Sequence, residues 1–152
     1  MNVISLLTPK AQVAYLYDDF TVRQGLEKLR AHGYTAIPVL ARDGSYVGTV
    51  SEGDFLWNLV DRRDNSLRSK EKQPLRTVMR RDFNPAVSVG VTMEELLERS
   101  MRQSFIPVVD DRGAFVGIVT RQNIIRQLTM PKVEPARDSR ERQDRELASA
   151  SV

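Results

Sequence analysis

One stretch of twenty residues occurs twice in this chain. Thr35 to Asp54 (TAIPVLARDGSYVGTVSEGD) is matched without a gap by Ser104 to Asn123 (SFIPVVDDRGAFVGIVTRQN), 69 residues later, with seven identities where background composition gives about one. A duplication constrains the fold more than composition does, because whatever surface one copy leaves uncovered the other leaves too, and the two can cover each other. In each copy an apolar run (Ile37 to Leu40; Ile106 to Val109) meets a glycine-containing turn (Ala41 to Gly44; Asp110 to Gly113) and a second apolar run (Tyr46 to Val50; Phe115 to Val119). That is the pattern of a β-hairpin. Pro38 and Pro107 cannot donate to a ladder, so their positions should face a free edge or a bulge. Each second strand ends in Gly-x-x-Ser/Thr-x-x-Asp/Asn (Gly48, Ser51, Asp54; Gly117, Thr120, Asn123) and runs into a helix start.

The flanking segments repeat as well. Ahead of the first hairpin, Gln12 to Leu16 reads as a strand, and Thr21 caps a helix with Val22, Leu26 and Leu29 at helical spacing, ending at His32-Gly33. Glu52 to Val60 follows as a helix with Phe55, Leu56, Leu59 and Val60 on one face. In the second copy Leu75, Val78 and Met79 lead in, Pro85-Ala86-Val87 makes the strand, and Thr92 caps a helix carrying Met93, Leu96, Leu97 and Met101. A helix from Gln122 to Leu128 closes the copy before Pro131. The expectation is an α/β (α+β) fold: two β-α-β-β-α repeats packed sheet to sheet with pseudo-twofold symmetry. The boundaries are residues 1–62 for the first repeat, 63–74 for a linker and 75–130 for the second repeat. Residues 131–152 form a charged tail, five bases against five acids, disordered or a frayed helix.

Composition removes several function classes. There is no cysteine for a disulfide, a thiolate metal site or a nucleophile. The single histidine, His32, sits at a helix C-terminus, where a cation suits the dipole. Asp18-Asp19 and Asp110-Asp111 are adjacent pairs in turns, poorly placed to share one substrate atom. No metal-ligand spacing or phosphate loop occurs, so catalysis and a resident metal or cofactor are not expected. No apolar run approaches eighteen residues and no signal pattern opens the chain, which reads as cytoplasmic with no membrane contact. The net charge is +3 with 23 bases among 20 acids. The densest basic stretch (Arg62, Arg63, Arg68, Lys70, Lys72) is a solvated connector or a phosphate- or partner-binding strip. Trp57, Tyr15, Tyr17, Tyr34 and Tyr46 belong to core or interface, with base stacking in a nucleic-acid binder as the rival reading.

The ordered set of strand, helix, Ile-Pro-Val, glycine turn and Gly-x-x-Ser/Thr-x-x-Asp/Asn, given twice over roughly residues 3 to 128, resembles the cystathionine-β-synthase (CBS) domain as a tandem, Bateman-type pair. The resemblance implies a regulatory module that binds an adenosine-containing ligand in clefts between the repeats, forms a homodimer through its helices, and signals to a separate, unidentified protein effector. Carried over residue by residue, one cleft takes Val13, Ala14, Tyr15, Thr35, Ala36, Ile37 and Pro38 with Thr120, Arg121 and Asn123. The second possible cleft takes Ala86, Val87, Ser104, Phe105, Ile106 and Pro107 with Ser51 and Asp54. A helix mouth offers free N–H groups and a positive dipole end to phosphate; equally, Ser51 to Asp54 and Thr120 to Asn123 can be plain helix caps.

The two clefts are unequal. Asp54 keeps a carboxylate that could accept from both hydroxyls of a ribose diol, whereas Asn123 has one acceptor oxygen, with Arg121 beside it as a phosphate fork. Bulk at Phe105 and negative charge at Glu52 suggest that the Ser51/Asp54 cleft is empty or takes something uncharged. A ligand with esterified 3′-hydroxyls would not need the carboxylate. The layout is similar to small stand-alone CBS proteins that bind cyclic-di-AMP, although Gln122 stands where a second arginine would strengthen the likeness. Cyclic-di-AMP is ranked ahead of AMP, ADP and ATP, with S-adenosylmethionine behind.

Overall fold

The computed structural model describes residues 2–60 and 70–130. Arg62, Arg63 and Arg68 of the basic stretch, most of the linker and the 131–152 tail lie outside the described residues. The elements run α1 (Val3–Leu6), β1 (Thr8–Pro9), a 3-10 turn (Lys10–Gln12), β2 (Leu16–Tyr17), α2 (Val22–His32), β3 (Ala36–Leu40), β4 (Tyr46–Ser51) and α3 (Glu52–Val60). After a second 3-10 turn (Leu75–Thr77) come β5 (Val87–Ser88), α4 (Met93–Ser100), β6 (Phe105–Val109), β7 (Phe115–Thr120) and α5 (Arg121–Thr129).

Local chemistry explains most boundaries. Thr21 forms a capping box with Gln24, its hydroxyl accepting from the Gln24 amide at 3.2 Å while the Gln24 side chain accepts from the Thr21 amide at 2.9 Å. Gly33 ends α2 in the left-handed region at φ 67°. Thr92 and Thr120 cap α4 and α5 through their hydroxyls.

β3 and β4 form an antiparallel hairpin, as do β6 and β7, and the parallel neighbours β2 and β5 each add one short strand. The strand expected at Gln12–Leu16 is displaced: Lys10–Gln12 turns, and pairing begins only at Leu16, opposite Val39. In the same way the strand expected at Pro85–Val87 is Val87–Ser88, opposite Val108 and Val109. The reason lies in the prolines. Pro38 and Pro107 have no N–H to offer, so the parallel strand pairs only beyond them, and the edges at Ala36–Pro38 and Phe105–Pro107 stay open on that side.

Two separate cores form. Leu16, Val22, Leu29, Ile37, Val39, Val50, Phe55 and Leu75 make the first; Val3, Leu6, Val87, Leu96, Ile106, Val108, Val119 and Ile124 make the second. The lead-in segments cross over. α1 buries Val3 and Leu6 in the second half and β1 pairs with β7, while Leu75, which opens the second repeat, packs in the first half.

The halves join at the hairpin turns by a reciprocal pair of bonds: Tyr46 N–H donates to the Gly113 carbonyl (3.3 Å) and Phe115 N–H to the Gly44 carbonyl (3.0 Å). These are equivalent positions of the two copies, so the pseudo-twofold passes between them, and the Tyr46 and Phe115 rings stack at 6.2 Å. A closed side-chain chain backs this seam. Gln103 donates to Asn84 Oδ1 (2.8 Å), Asn84 Nδ2 to the Thr49 hydroxyl (3.1 Å), and Tyr46 O–H to the Asn84 carbonyl (2.7 Å). The Tyr46 hydrogen is thereby used, so the 2.7 Å contact with Thr49 has Thr49 as donor.

Burial of the Tyr46 phenol pushes its pKa from 10.0 up to about 12, against the opposing hydrogen bond to Thr49. Below pH 10 both folded and unfolded chains hold the proton and the stabilisation is present in full. Between pH 10 and 12 the unfolded chain loses it first, so stability should fall by about 2 kcal/mol as pH rises. An absorbance titration of phenolate should show one of the four tyrosines ionising last, with Tyr46→Phe removing that phase. A late phase that survives the substitution would contradict this.

Candidate functional site

The open edge of β3 and the helix mouth of α5 face a common groove. It encloses about 400 Å³ and is lined by Thr8, Gln12, Val13 and Ala14 from the N-terminal segment, Tyr34, Ala36 and Pro38 from the first half, and Ser104, Phe105, Ile118, Thr120 and Gln122 from the second. The volume is that of a small-molecule site. Its walls are apolar or aromatic, its polar atoms are hydroxyls and amides, and among the described residues no charged side chain lines it. At the α5 mouth Thr120 serves as the cap, its hydroxyl accepting from Asn123 N–H at 3.1 Å, and the first turn of α5 contains no acid.

Of the ten residues expected here, Val13, Ala14, Ala36, Pro38 and Thr120 line the groove. Ile37 does not, because strand alternation turns it into the core, where it is fully buried. Tyr15 packs against Tyr17 and Phe115, with the Lys10 and Lys28 ammonium groups near its ring. The Thr35 carbonyl accepts from Glu52 N–H. Arg121 donates from Nε to the Ser100 carbonyl at 2.6 Å, capping the end of α4, and Asn123 is not in the lining. Thr8, Gln12, Tyr34, Ile118 and Gln122 join the groove from outside the expected set, as do Ser104 and Phe105 from the set expected for the other cleft. Ile118 was legible from alternation, two residues before Thr120 on the same face. Tyr34 stacks on His32 with ring centroids 5.3 Å apart.

The pseudo-symmetric groove encloses about 510 Å³ between Ala36, Thr49, Asp82, Phe83, Asn84, Pro85, Arg99, Arg102, Gln103, Ser104 and Phe105. Here Ser104 and Phe105 are lining residues, while Ala86 and Pro107 are not, and Val87 and Ile106 are buried in the second core. Ser51 and Asp54 are also absent from the lining. The Asp54 carboxylate, its side chain 2% exposed, accepts from Arg80 Nε (2.7 Å) on one oxygen and from Ser51 N–H (2.8 Å) and Ser51 Oγ (3.1 Å) on the other. The acceptor expected for a ribose is therefore held by a cation from the lead-in of the second repeat. Arg80 stacks in turn on Phe83 at 3.7 Å.

The paired acids have structural work. Arg42 bonds Asp19 at 2.8 Å and holds its carboxyl below the ordinary range, and Asp110 accepts from two amides of its own turn. Among the described residues no cluster of metal-ligating side chains occurs, and no helix is long and apolar enough to cross a membrane.

Two β-α-β-β-α repeats, with a groove on either side of a pseudo-twofold seam, define a duplicated α/β module. The chain belongs to the CBS domain family, whose model matches residues 4–61 and 75–129. Among solved structures, the CbpB protein of Listeria monocytogenes in complex with c-di-AMP is 25% identical with a TM-score of 0.74, over 82% of this chain and 92% of that one. A CBS domain protein from Streptococcus pneumoniae is 28% identical with a TM-score of 0.76, over 83% and 85%. An uncharacterised protein of Methanocaldococcus jannaschii is 24% identical over 143 residues, covering 74% of this chain and 84% of its own.

Proposed function

We propose that this chain is a non-catalytic, cytoplasmic regulatory module that binds an adenine nucleotide in the groove between Ala36 and Thr120. The observation that carries the reading is the groove itself. Its uncharged walls and the Tyr34 ring suit a purine, the open β3 edge offers backbone groups to a base edge, and the α5 mouth offers N–H groups and the positive end of a dipole to phosphate. Cyclic-di-AMP fits best. Asn123 stands where a carboxylate would serve a free ribose diol, and a cyclic dinucleotide has its 3′-oxygens esterified. The complex of the Listeria relative with c-di-AMP supports this order. AMP, ADP and ATP follow, then S-adenosylmethionine.

Arg121 is the anion partner in this reading. It occupies the first position of α5, where the dipole disfavours a cation, and among the described residues its guanidinium bonds the Ser100 carbonyl alone; a phosphate would replace that neutral acceptor with a charged one. Arg121→Ala should weaken cyclic-di-AMP about tenfold to a hundredfold in calorimetric titration. An unchanged affinity removes Arg121 from the site.

The output passes to another protein. Leu56, Trp57, Leu59 and Val60 on α3 and Ile125 and Leu128 on α5 are exposed, Trp57 at 72%, and these faces suit a second copy of the chain. Ligand bridging both halves would favour one arrangement of that dimer and so alter affinity for an effector in trans.

A further inference from the structure

Ala36, Ser104 and Phe105 line both grooves. Ala36 and Phe105 are equivalent positions of the duplication, opposite Ser51 and Thr120 in their own hairpins, and both stand beside the pseudo-twofold. Two alanines there would leave the grooves open to each other, and two phenylalanines would crowd both. With one of each, a single half-buried ring supplies the bulk of the shared wall, since its companions are alanine and serine. The spaces it divides differ in charge: among the described residues no charged side chain lines the first, whereas Asp82, Arg99 and Arg102 line the second.

We propose that Phe105 is the partition between the grooves and the residue that limits ligand length in the first one, by closing the way to Arg99 and Arg102. The ligand side of this inference rests on the nucleotide reading above. Phe105→Ala should weaken AMP at least fivefold, because its wall contact is lost. It should also shift the ratio of AMP to cyclic-di-AMP dissociation constants at least fivefold toward the longer, dinucleotide ligand. Phe105→Leu should lie between, and it carries the test if the alanine variant does not fold. Ratios within twofold of wild type for both variants would overturn the length limit. A crystal structure of Phe105→Ala tests the partition with no nucleotide present. One continuous groove from Tyr34 to Arg102 is expected, and two grooves still divided by another side chain would overturn it. Absence of binding by any adenine nucleotide to wild type would instead sink the nucleotide reading, leaving the partition to be decided by that crystal structure.

Discussion

Gly117→Ala is expected to destabilise the protein by about 3 kcal/mol and to loosen its N-terminal strand, whereas the equivalent Gly48→Ala should cost about 1 kcal/mol or less. The two glycines hold the same place in the two copies, yet their neighbours differ. A methyl group on Gly117 would fall on the Thr8 carbonyl oxygen, with Leu7 Cδ1 at 3.0 Å and Pro9 Cα at 3.1 Å. Backbone cannot step aside there, because Thr8 and Pro9 pair with Ile118 and Gly117 in the ladder. Relief requires β1 to leave β7, and α1, with Val3 and Leu6 in the second core, would be pulled with it. At Gly48 the close atom among the described residues is Met79 Cε at 2.9 Å, the end of a flexible thioether that can move cheaply. Urea unfolding should resolve the difference, and hydrogen exchange should locate it at residues 3–9. Equal costs at the two positions would contradict the crossover of the lead-in segment.

Arg80→Ala is expected to cost about 2 kcal/mol, more than a surface ion pair is worth. Arg80 is itself half exposed, but its partner Asp54 is buried, and removing the guanidinium leaves a carboxylate with only the Ser51 donors. The cost is that of an uncompensated charge, so it should shrink when the charge is removed too. In a double-mutant cycle with Asp54→Asn, a coupling of at least about 1 kcal/mol is expected from denaturation midpoints. Strict additivity would show that Arg80 and Asp54 do not depend on each other in solution.

The parts of the fold that were legible in the sequence are those set by neighbours along the chain. Thr21, Thr92 and Thr120 announce helices because a cap acts over three residues, and Pro38 announces an open edge because a missing donor is a local fact. What was not legible depends on where distant segments return. Nothing near Val3 or Leu75 says that each packs in the opposite half. Nothing near Asp54 says that Arg80, 26 residues on, takes its carboxylate. For the site, the family resemblance implied Val13, Ala14, Ala36, Pro38 and Thr120, but Tyr34, Gln12 and Gln122 enter the groove through the packing of the halves. Arg121 and Thr120 are adjacent in sequence, yet one caps α4 and the other lines the groove. A hydroxyl that caps a helix and a hydroxyl that greets a ligand look the same in sequence, and Thr120 is placed to do both.

The central claim is that the groove between Ala36 and Thr120 holds an adenine nucleotide. Its most direct test is a titration of the wild-type protein with cyclic-di-AMP, AMP, ATP and S-adenosylmethionine, read together by calorimetry and by backbone amide shifts. The account predicts saturable heat, strongest for cyclic-di-AMP, with the largest shifts at Ala14, Ala36, Thr120 and Gln122. No saturable heat from any of the four, or shifts confined to residues away from this groove, would contradict it.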